Sequence, residues 1–554
     1  MNRAQPFLRR PVVLLAAVAL AVVLVALAFR WWDRYVEDQL GRWAVGELAR
    51  RTGGAYRLVL GDLSFLPLAG SISFDSAIVA TDTARNRPRE EPLPTLEWRA
   101  HRCRVSGLDL LGLAFRRSFV ARELGCDRVV ARIALASRPR EERRPAPDSA
   151  PPAARLETLA RPLGLSSFRI AEVSLPALSF TLNRPGARGG ASILIERARF
   201  EAKDLVFDPT ANPRVPRSLS AGRALLRATG LVLRPDTLIE IAIAGVEAEL
   251  TDSTLRLAGA RHEPSIPEAE WVRRVRVRRD RIRLEVDSVR ARGVAYRAFV
   301  ATGDIGIRAL ELEGARLDVL TDKRIPRGRP SRHRTPQQVA ASPGQALRLD
   351  SVIINRGTIV YRERKPKRDR PGRASFDSVR ATILDLHLPP RGKPLRIAAG
   401  ARLMNQGLLT LETSVPLDAP DFRYELSGKL GRMPATALNR FLAENEPFEL
   451  DDGWIEKVTF RQTARHGRVT TILTPRYRDL SVEPTGDGGG AIGAAKRAVE
   501  EFFADAFVVR SRNPDEDGDN LRTVRTVRRY DPATSWIQFL WFGLRDGLME
   551  ALKE

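Results

Sequence analysis

The chain has 554 residues, 43% of them hydrophobic, which is ample material for a buried interior and length enough for about two to four domains. Aromatics are only 6%, so that interior must be built mainly from Leu, Val, Ile and Ala. The formal charge of +24, a balance that can mean nucleic acid or anionic lipid, is mostly Arg spread along the whole chain and alternating with aliphatic residues, as in Arg276-Val277-Arg278; it reads first as a solvated strand face, with some attraction to phosphate headgroups as a by-product.

Two cysteines, Cys103 and Cys126, are too few for a disulfide framework and lack zinc spacing. They are either a bridge between neighbouring strands in an oxidising compartment or two buried thiols.

Residues 11–29 (PVVLLAAVALAVVLVALAF) form an uninterrupted apolar run. As a helix it covers about 30 Å, one hydrocarbon core. Arg3, Arg9 and Arg10 precede it, which predicts a cytoplasmic N-terminus over residues 1–10. Trp31 and Trp32 follow as interfacial anchors and candidate membrane or partner contacts. The run is longer than a cleaved signal's apolar core and leads into bulky residues, so an uncleaved signal-anchor is expected. Helical spacing then runs to Arg51 within a juxtamembrane segment, 30–53, and Thr52-Gly53-Gly54 stops it because Gly accepts the left-handed C-cap conformation.

From Tyr56 the apolar period changes to two, in short words punctuated by Gly, Asp, Asn and Pro. Three β segments are expected, 54–137, 154–321 and 346–484. Two Pro- and charge-rich stretches, 138–153 and 322–345, separate them and read as mobile surface loops unable to pack a core. After each break a similar phrase restarts: Phe168–Leu182 is echoed by Leu347–Tyr361, and Leu124–Leu135 and Ile307–Leu320 are further versions. Each reads as a strand, a central Gly, Asn or Pro, and a second strand, the mark of a repeat architecture. At roughly 15 residues per strand and turn, about 25–30 strands are expected before Pro484.

The final segment, 485–554, begins with a Gly-rich linker. Ile492, Val499, Phe502 and Phe503 then fall on one side of a predicted helix. A second amphipathic helix opens after Thr534 or Ser535. Its apolar residues Trp536, Phe539, Leu540 and Trp541 either cap the open end of the sheet or touch a membrane or partner.

This order of features resembles the AsmA-like proteins of Gram-negative envelopes, the group that includes TamB and YhdP relatives. The likeness lies in the signal-anchor, the helix at Trp43–Arg51, Thr52-Gly53-Gly54 and Tyr56–Phe74, followed by Ala77-Ile78-Val79 and Val105–Leu111. Leu426–Pro484 carries it again, with Gly431-Arg432-Met433-Pro434 and Leu438–Leu442. The resemblance implies a mainly β chain: an N-terminal transmembrane helix, an elongated, curved, repetitive sheet with an apolar concave side, and C-terminal amphipathic helices. It also implies an inner-membrane anchor, a periplasmic body and a role in phospholipid transfer or outer-membrane assembly.

The alternation argues the same way. One sheet face is apolar, few helices are predicted to cover it, and either two sheets pack together or one curls around something. Leu58, Leu60, Ile72, Phe74, Ile353 and Ile359 are the candidate lining of a lipid groove. The competing expectation is a periplasmic scaffold with a closed β core that binds envelope protein partners. The five histidines lack ligand partners at helical spacing, and neither a nucleophile elbow nor a P-loop occurs. No enzyme activity, cofactor, metal or nucleic-acid partner is expected.

Overall fold

The computed structural model describes residues 35, 37–39, 41–50, 52–66, 70–82, 94–109, 112, 118–135, 167–184, 191–208, 218–328, 332–342, 344–366, 368–484 and 510–552. The expected membrane span at 11–29, Trp31, Trp32, the stretch 138–153 and the helix expected around Val499 lie outside these residues. Among the described residues no helix is long and apolar enough to cross a membrane.

The chain is mainly β and divides into two compact units, the boundary falling after Ala228. In the first, helical residues 41–50 stop where the sequence predicts. Gly53 and Gly54 have φ of 59° and 75°, and the Gly54 N–H donates to the Ala49 carbonyl at 2.7 Å. Strands β1 (Tyr56–Gly61) and β2 (Ser64–Leu66) both pair with β3 (Ser71–Thr81), which pairs in turn with β4 (Thr95–Ser106) and that with β5 (Ser118–Ala134), all antiparallel. β6 (Ser167–Arg184) lies parallel to β5. β7 (Ala191–Asp208), the short β8 (Ser218–Ser220) and the start of β9 (Arg223–Arg234) complete the unit.

The second unit contains β10 (Ile239–Glu249), β11 (Thr254–Pro264), α1 (Glu268–Arg274), β12 (Arg281–Arg292), α2 (Tyr296–Thr302), β13 (Ile305–Glu313) and β14 (Arg316–Asp322). α3 (Pro336–Ala340) follows, then β15 (Leu347–Arg364), β16 (Gly372–Leu388), β17 (Leu395–Leu403), β18 (Gly407–Val415) and β19 (Tyr424–Leu430). The end is built from β20 (Met433–Pro434), a 3₁₀ turn (Ala435–Leu438), α4 (Asn439–Asn445), β21 (Phe448–Arg465), β22 (Arg468–Pro484), β23 (Val524–Arg529) and α5 (Trp536–Leu552). Pairing is antiparallel except that β13 and β14 run in succession parallel to β15, in one register from Ile305 opposite Leu347 to Leu320 opposite Arg362.

Both Pro-rich stretches now have a topological reason. Parallel neighbours need a crossover of a dozen residues or more, because the chain must return to the end where the previous strand began. The stretch 138–153 falls between β5 and β6, and 322–345 falls between β14 and β15. The second is not a loop without a core. Ile325 is 1% exposed beside Trp271, and Ala340 is buried among Val415, Phe422 and Phe539. α3 begins with a capping box: Thr335 Oγ1 accepts from the Gln338 N–H while the Gln338 side chain accepts from the Thr335 N–H, with Pro336 in the first turn. Buried Gln337 donates to the carbonyls of Pro416 and Arg423 at 3.2 and 2.6 Å.

Three of the repeated phrases, Phe168–Leu182, Leu347–Tyr361 and Leu124–Leu135, lie along single long strands, whereas Ile307–Leu320 is the expected pair, β13 and β14. β5, β6, β7, β15, β16, β21 and β22 each have 17 or 18 residues, so fewer strands are needed than the sequence suggested. A crease crosses the strands near the middle of these phrases. In the first unit it crosses Asp62, Asp75, Arg102 and Asp127, with Asp62 and Arg102 at φ of 46° and 45°. In the second it crosses Gly259, Asp287, Gly314, Arg356 and Ser378, of which Gly259, Gly314, Arg356 and Ser378 have φ between 51° and 67°. A left-handed residue inside a strand bends it as a bulge does and shifts the phase of the two-residue period. In β4 the apolar set steps from Trp98 and Ala100 to Cys103, yet all three belong to one cluster with Phe74, Cys126 and Val129. The step keeps one face apolar through the bend.

Candidate functional site

Cross-strand register places the apolar side chains in rows. In the first unit Leu58 faces Val79, which faces Trp98; Leu60 faces Ala77, which faces Ala100. Beyond the crease Phe74 faces Cys103 and Cys103 faces Cys126, while Ile72 faces Val105 and Val105 faces Leu124. In the second unit one row runs Val246, Leu257, Val289, Leu312, Ile354, Ala381, Ala399, Leu411. Another runs Leu284, Leu317, Ile359, Phe376, Leu403.

In the first unit size decides burial along these rows: small side chains are shielded by their neighbours, Ala100 fully and Ala77 and Cys103 nearly so. In the second unit Ala381 and Ala399 are half-buried like the larger residues of their row. The large ones, among them Leu58, Leu60, Ile72, Phe74, Trp98, Leu257, Leu312 and Ile359, are only half-buried although strands pair on both sides of most of them. A second layer would bury the large residues first, since they stand highest above the sheet. These rows are therefore covered by little besides one another among the described residues. Arg and carboxylate side chains occupy the other face and pair across strands, as in Arg316 with Asp287 at 2.7 Å and Arg356 with Glu313.

At the C-terminal end the same face is closed. Met433, Leu473, Val469 and Phe539 are each 1% exposed. α5, with Ser535 Oγ accepting from the Gln538 N–H at 3.3 Å at its start, lies against β22 and β23. Its inward stripe is Phe539, Gly543, Gly547 and Ala551. The small residues admit a polar anchor: Gln462, 0% exposed, donates to Thr471 Oγ1 at 3.1 Å and to the Leu540 carbonyl at 3.0 Å, and accepts from the Tyr424 hydroxyl at 3.3 Å. Burial pushes the Tyr424 phenol well above its ordinary pKa.

Of the six lining candidates, Leu58, Leu60, Ile72, Phe74 and Ile359 lie in the apolar rows. Ile353 does not. Its neighbours across the strands are Glu311 and Thr382, because β15 alternates and Val352 and Ile354 take the apolar side. Among the C-terminal aromatics Phe539 is buried in the cap and Trp536 and Leu540 pack beside it, while Trp541 is 49% and Ile537 64% exposed. The helix thus caps the sheet and keeps an outward apolar flank. Cys103 and Cys126 are bonded as a disulfide between directly opposed residues of β4 and β5, which settles the two alternatives the sequence left open.

Sequence reasoning missed an ion-pair cluster that joins β14 and β15 to the start of α1. Arg362 contacts Glu268 at 2.9 Å and Asp318 at 2.6 Å, Arg364 contacts Glu268 at 3.0 Å, and Arg324 contacts Asp322 at 2.7 Å. Burial alone would raise the Asp322 carboxyl, but the hydrogen bonds and charge of Arg324, helped by Arg364, hold it below the usual carboxylate range. No local spacing signals this cluster, whereas the Thr335–Gln338 capping box was readable. Among the described residues no group of three or more His, Cys, Asp or Glu could hold a metal ion. Neither a protein-family model nor a curated protein matches the chain.

Proposed function

We propose that the chain is an AsmA-like envelope protein, anchored in the inner membrane by residues 11–29 and exposing its β body to the periplasm. On this reading the uncovered rows hold the acyl chains of phospholipid, either in transit between membranes or in support of outer-membrane assembly. The observation that carries the proposal is that the large apolar side chains of the rows in each unit are left half-open, in the first unit even where their small neighbours are shielded. Exposed to water, a sixteen-carbon tail costs on the order of 12 kcal/mol, at about 0.8 kcal/mol per CH₂. A trough of Leu, Ile and Phe removes most of that cost without chemistry, and binding of this kind is sequence-tolerant and reversible. The creases support the reading because they curve each strand while keeping its greasy side continuous. The Cys103–Cys126 bridge suits an oxidising compartment.

The test uses full-length protein extracted from the envelope. Photo-crosslinkers at Leu58, Ile72 and Ile359 should label acyl chains, and mass spectrometry should find phospholipid bound. Crosslinkers at Val59 and Ile353, on the other face, should not. Lipid-free protein, or equal labelling from both faces, would rule the trough out and leave a scaffold that binds envelope proteins.

A further inference from the structure

The outer face of the last three strands, opposite α5, is a second surface. β21 and β22 alternate cleanly here, buried residues toward α5 and exposed ones away. The two-residue turn His466-Gly467, with φ of 50° and 69°, sets the register that places Arg465 opposite Arg468. Arg468 in turn faces Arg529 on β23, so three guanidinium groups stand side by side. Arg461 and Arg525 flank Ile472 from either side. Like charges directly opposed across strands destabilise a sheet. Of these five arginines only Arg465 has an ion-pair partner among the described residues, Glu425 at 2.9 Å. Along Arg468–Leu473 of β22 and the paired length of β23 no carboxylate stands among them. Between the arginines Ile472 is 42% and Val527 58% exposed.

We propose that this face docks on an anionic lipid surface, with the arginines on headgroup phosphates and Ile472 and Val527 entering the headgroup layer. Guanidinium groups bind phosphate in a two-pronged fork and lose little on dehydration. Each basic residue near an anionic bilayer adds to the attraction, and exposed aliphatic side chains add apolar burial. Nucleic acid fits less well, because no aromatic side chain stands on this face to stack on bases. The proposal is independent of acyl binding in the trough: the patch lies on the opposite side of the strands, and its readout is vesicle capture, not lipid content.

Full-length protein held in phosphatidylcholine nanodiscs is mixed with vesicles of phosphatidylcholine alone, or of phosphatidylcholine with phosphatidylglycerol, and floated on a gradient. The wild type should float with the phosphatidylglycerol vesicles only, and less so as salt rises. The variant Arg461→Gln/Arg468→Gln/Arg525→Gln/Arg529→Gln should lose capture by roughly tenfold or more. It should melt no lower than wild type, because opposed charges have been removed. The variant Arg104→Gln/Arg128→Gln/Arg256→Gln/Arg261→Gln, with the same change of net charge elsewhere, should keep its capture. Equal loss in both variants, or undiminished capture by the first, overturns the proposal. So does unchanged capture by Ile472→Ser/Val527→Ser combined with binding of polyglutamate by the wild type, which would point to an acidic protein partner.

Discussion

Substituting Gly543 tests how α5 closes the sheet. A Cβ at this position would stand 2.5 Å from Gln462 Nε2 and 2.8 Å from Thr471 Oγ1, both inside van der Waals contact. On helix propensity alone Gly543→Ala would stabilise α5 by about 1 kcal/mol. Here the new methyl must displace the Gln462 amide from the Leu540 carbonyl and the Thr471 hydroxyl, or lift the helix off Leu473 and Val469. Stranding buried polar groups costs about 1–3 kcal/mol apiece, and overpacking adds a similar amount. The expected net result is a loss of about 1–3 kcal/mol, or roughly 5- to 150-fold faster opening of the helix. Hydrogen exchange over residues 536–552 of the full-length protein reads this locally. In the Gln462→Ala background the amide is gone and only the Thr471 hydroxyl stands in the way, so adding Gly543→Ala should speed exchange less than it does in the wild type. Exchange in Gly543→Ala at or below the wild-type rate would refute the packing argument.

Acid should erode the ion pairs in a defined window. The Arg348 guanidinium, opposed by partial burial and aided by His387, pulls the Asp350 carboxyl down to about 2. A carboxylate with a depressed folded pKa contributes stability that is full above its unfolded pKa of about 4 and is lost as pH falls toward the folded value. The stability difference between wild type and Asp350→Asn should therefore shrink as pH drops from about 4 to about 2 in denaturant titrations; a constant or growing difference would contradict the assignment. Reduction of Cys103–Cys126, or replacement of both by Ser, should destabilise the first unit by about 3 kcal/mol, because the bridge closes a loop with a sequence separation of 23; exchange of β4 and β5 amides measures it. Gly314→Ala places a Cβ against Asp287 Oδ2 at a φ of 67°, and should cost about 1–3 kcal/mol in urea unfolding of the second unit.

Much of the architecture was legible in the residues alone. Period-two alternation identifies strands because side chains of extended backbone point to opposite faces, and Thr52-Gly53-Gly54 ends its helix for a purely local reason. Ser535 caps α5 where the sequence allows it. The phrases Phe168–Leu182 and Leu347–Tyr361 occupy equivalent places, as the parallel partners β6 and β15 that follow a crossover. What misled was the central Gly, Asn or Pro. Read locally it is a turn, but in β6 and β15 it is a bend within one strand, while Gly314 does separate β13 from β14.

The sequence by itself determined which stretches are extended, where the greasy side of most strands lies and where helices stop, since these depend on a few neighbouring residues. Only the tertiary structure decided what those faces meet. The disulfide needs β4 and β5 in register; Ile353 is placed outward by one residue of alternation; and Gln337, Ala340 and Gln462 are buried by partners about 10 to 200 residues away. Packing partners distant along the chain carry no local signal. The same composition therefore yields an open apolar face along much of the sheet and a closed core under α5.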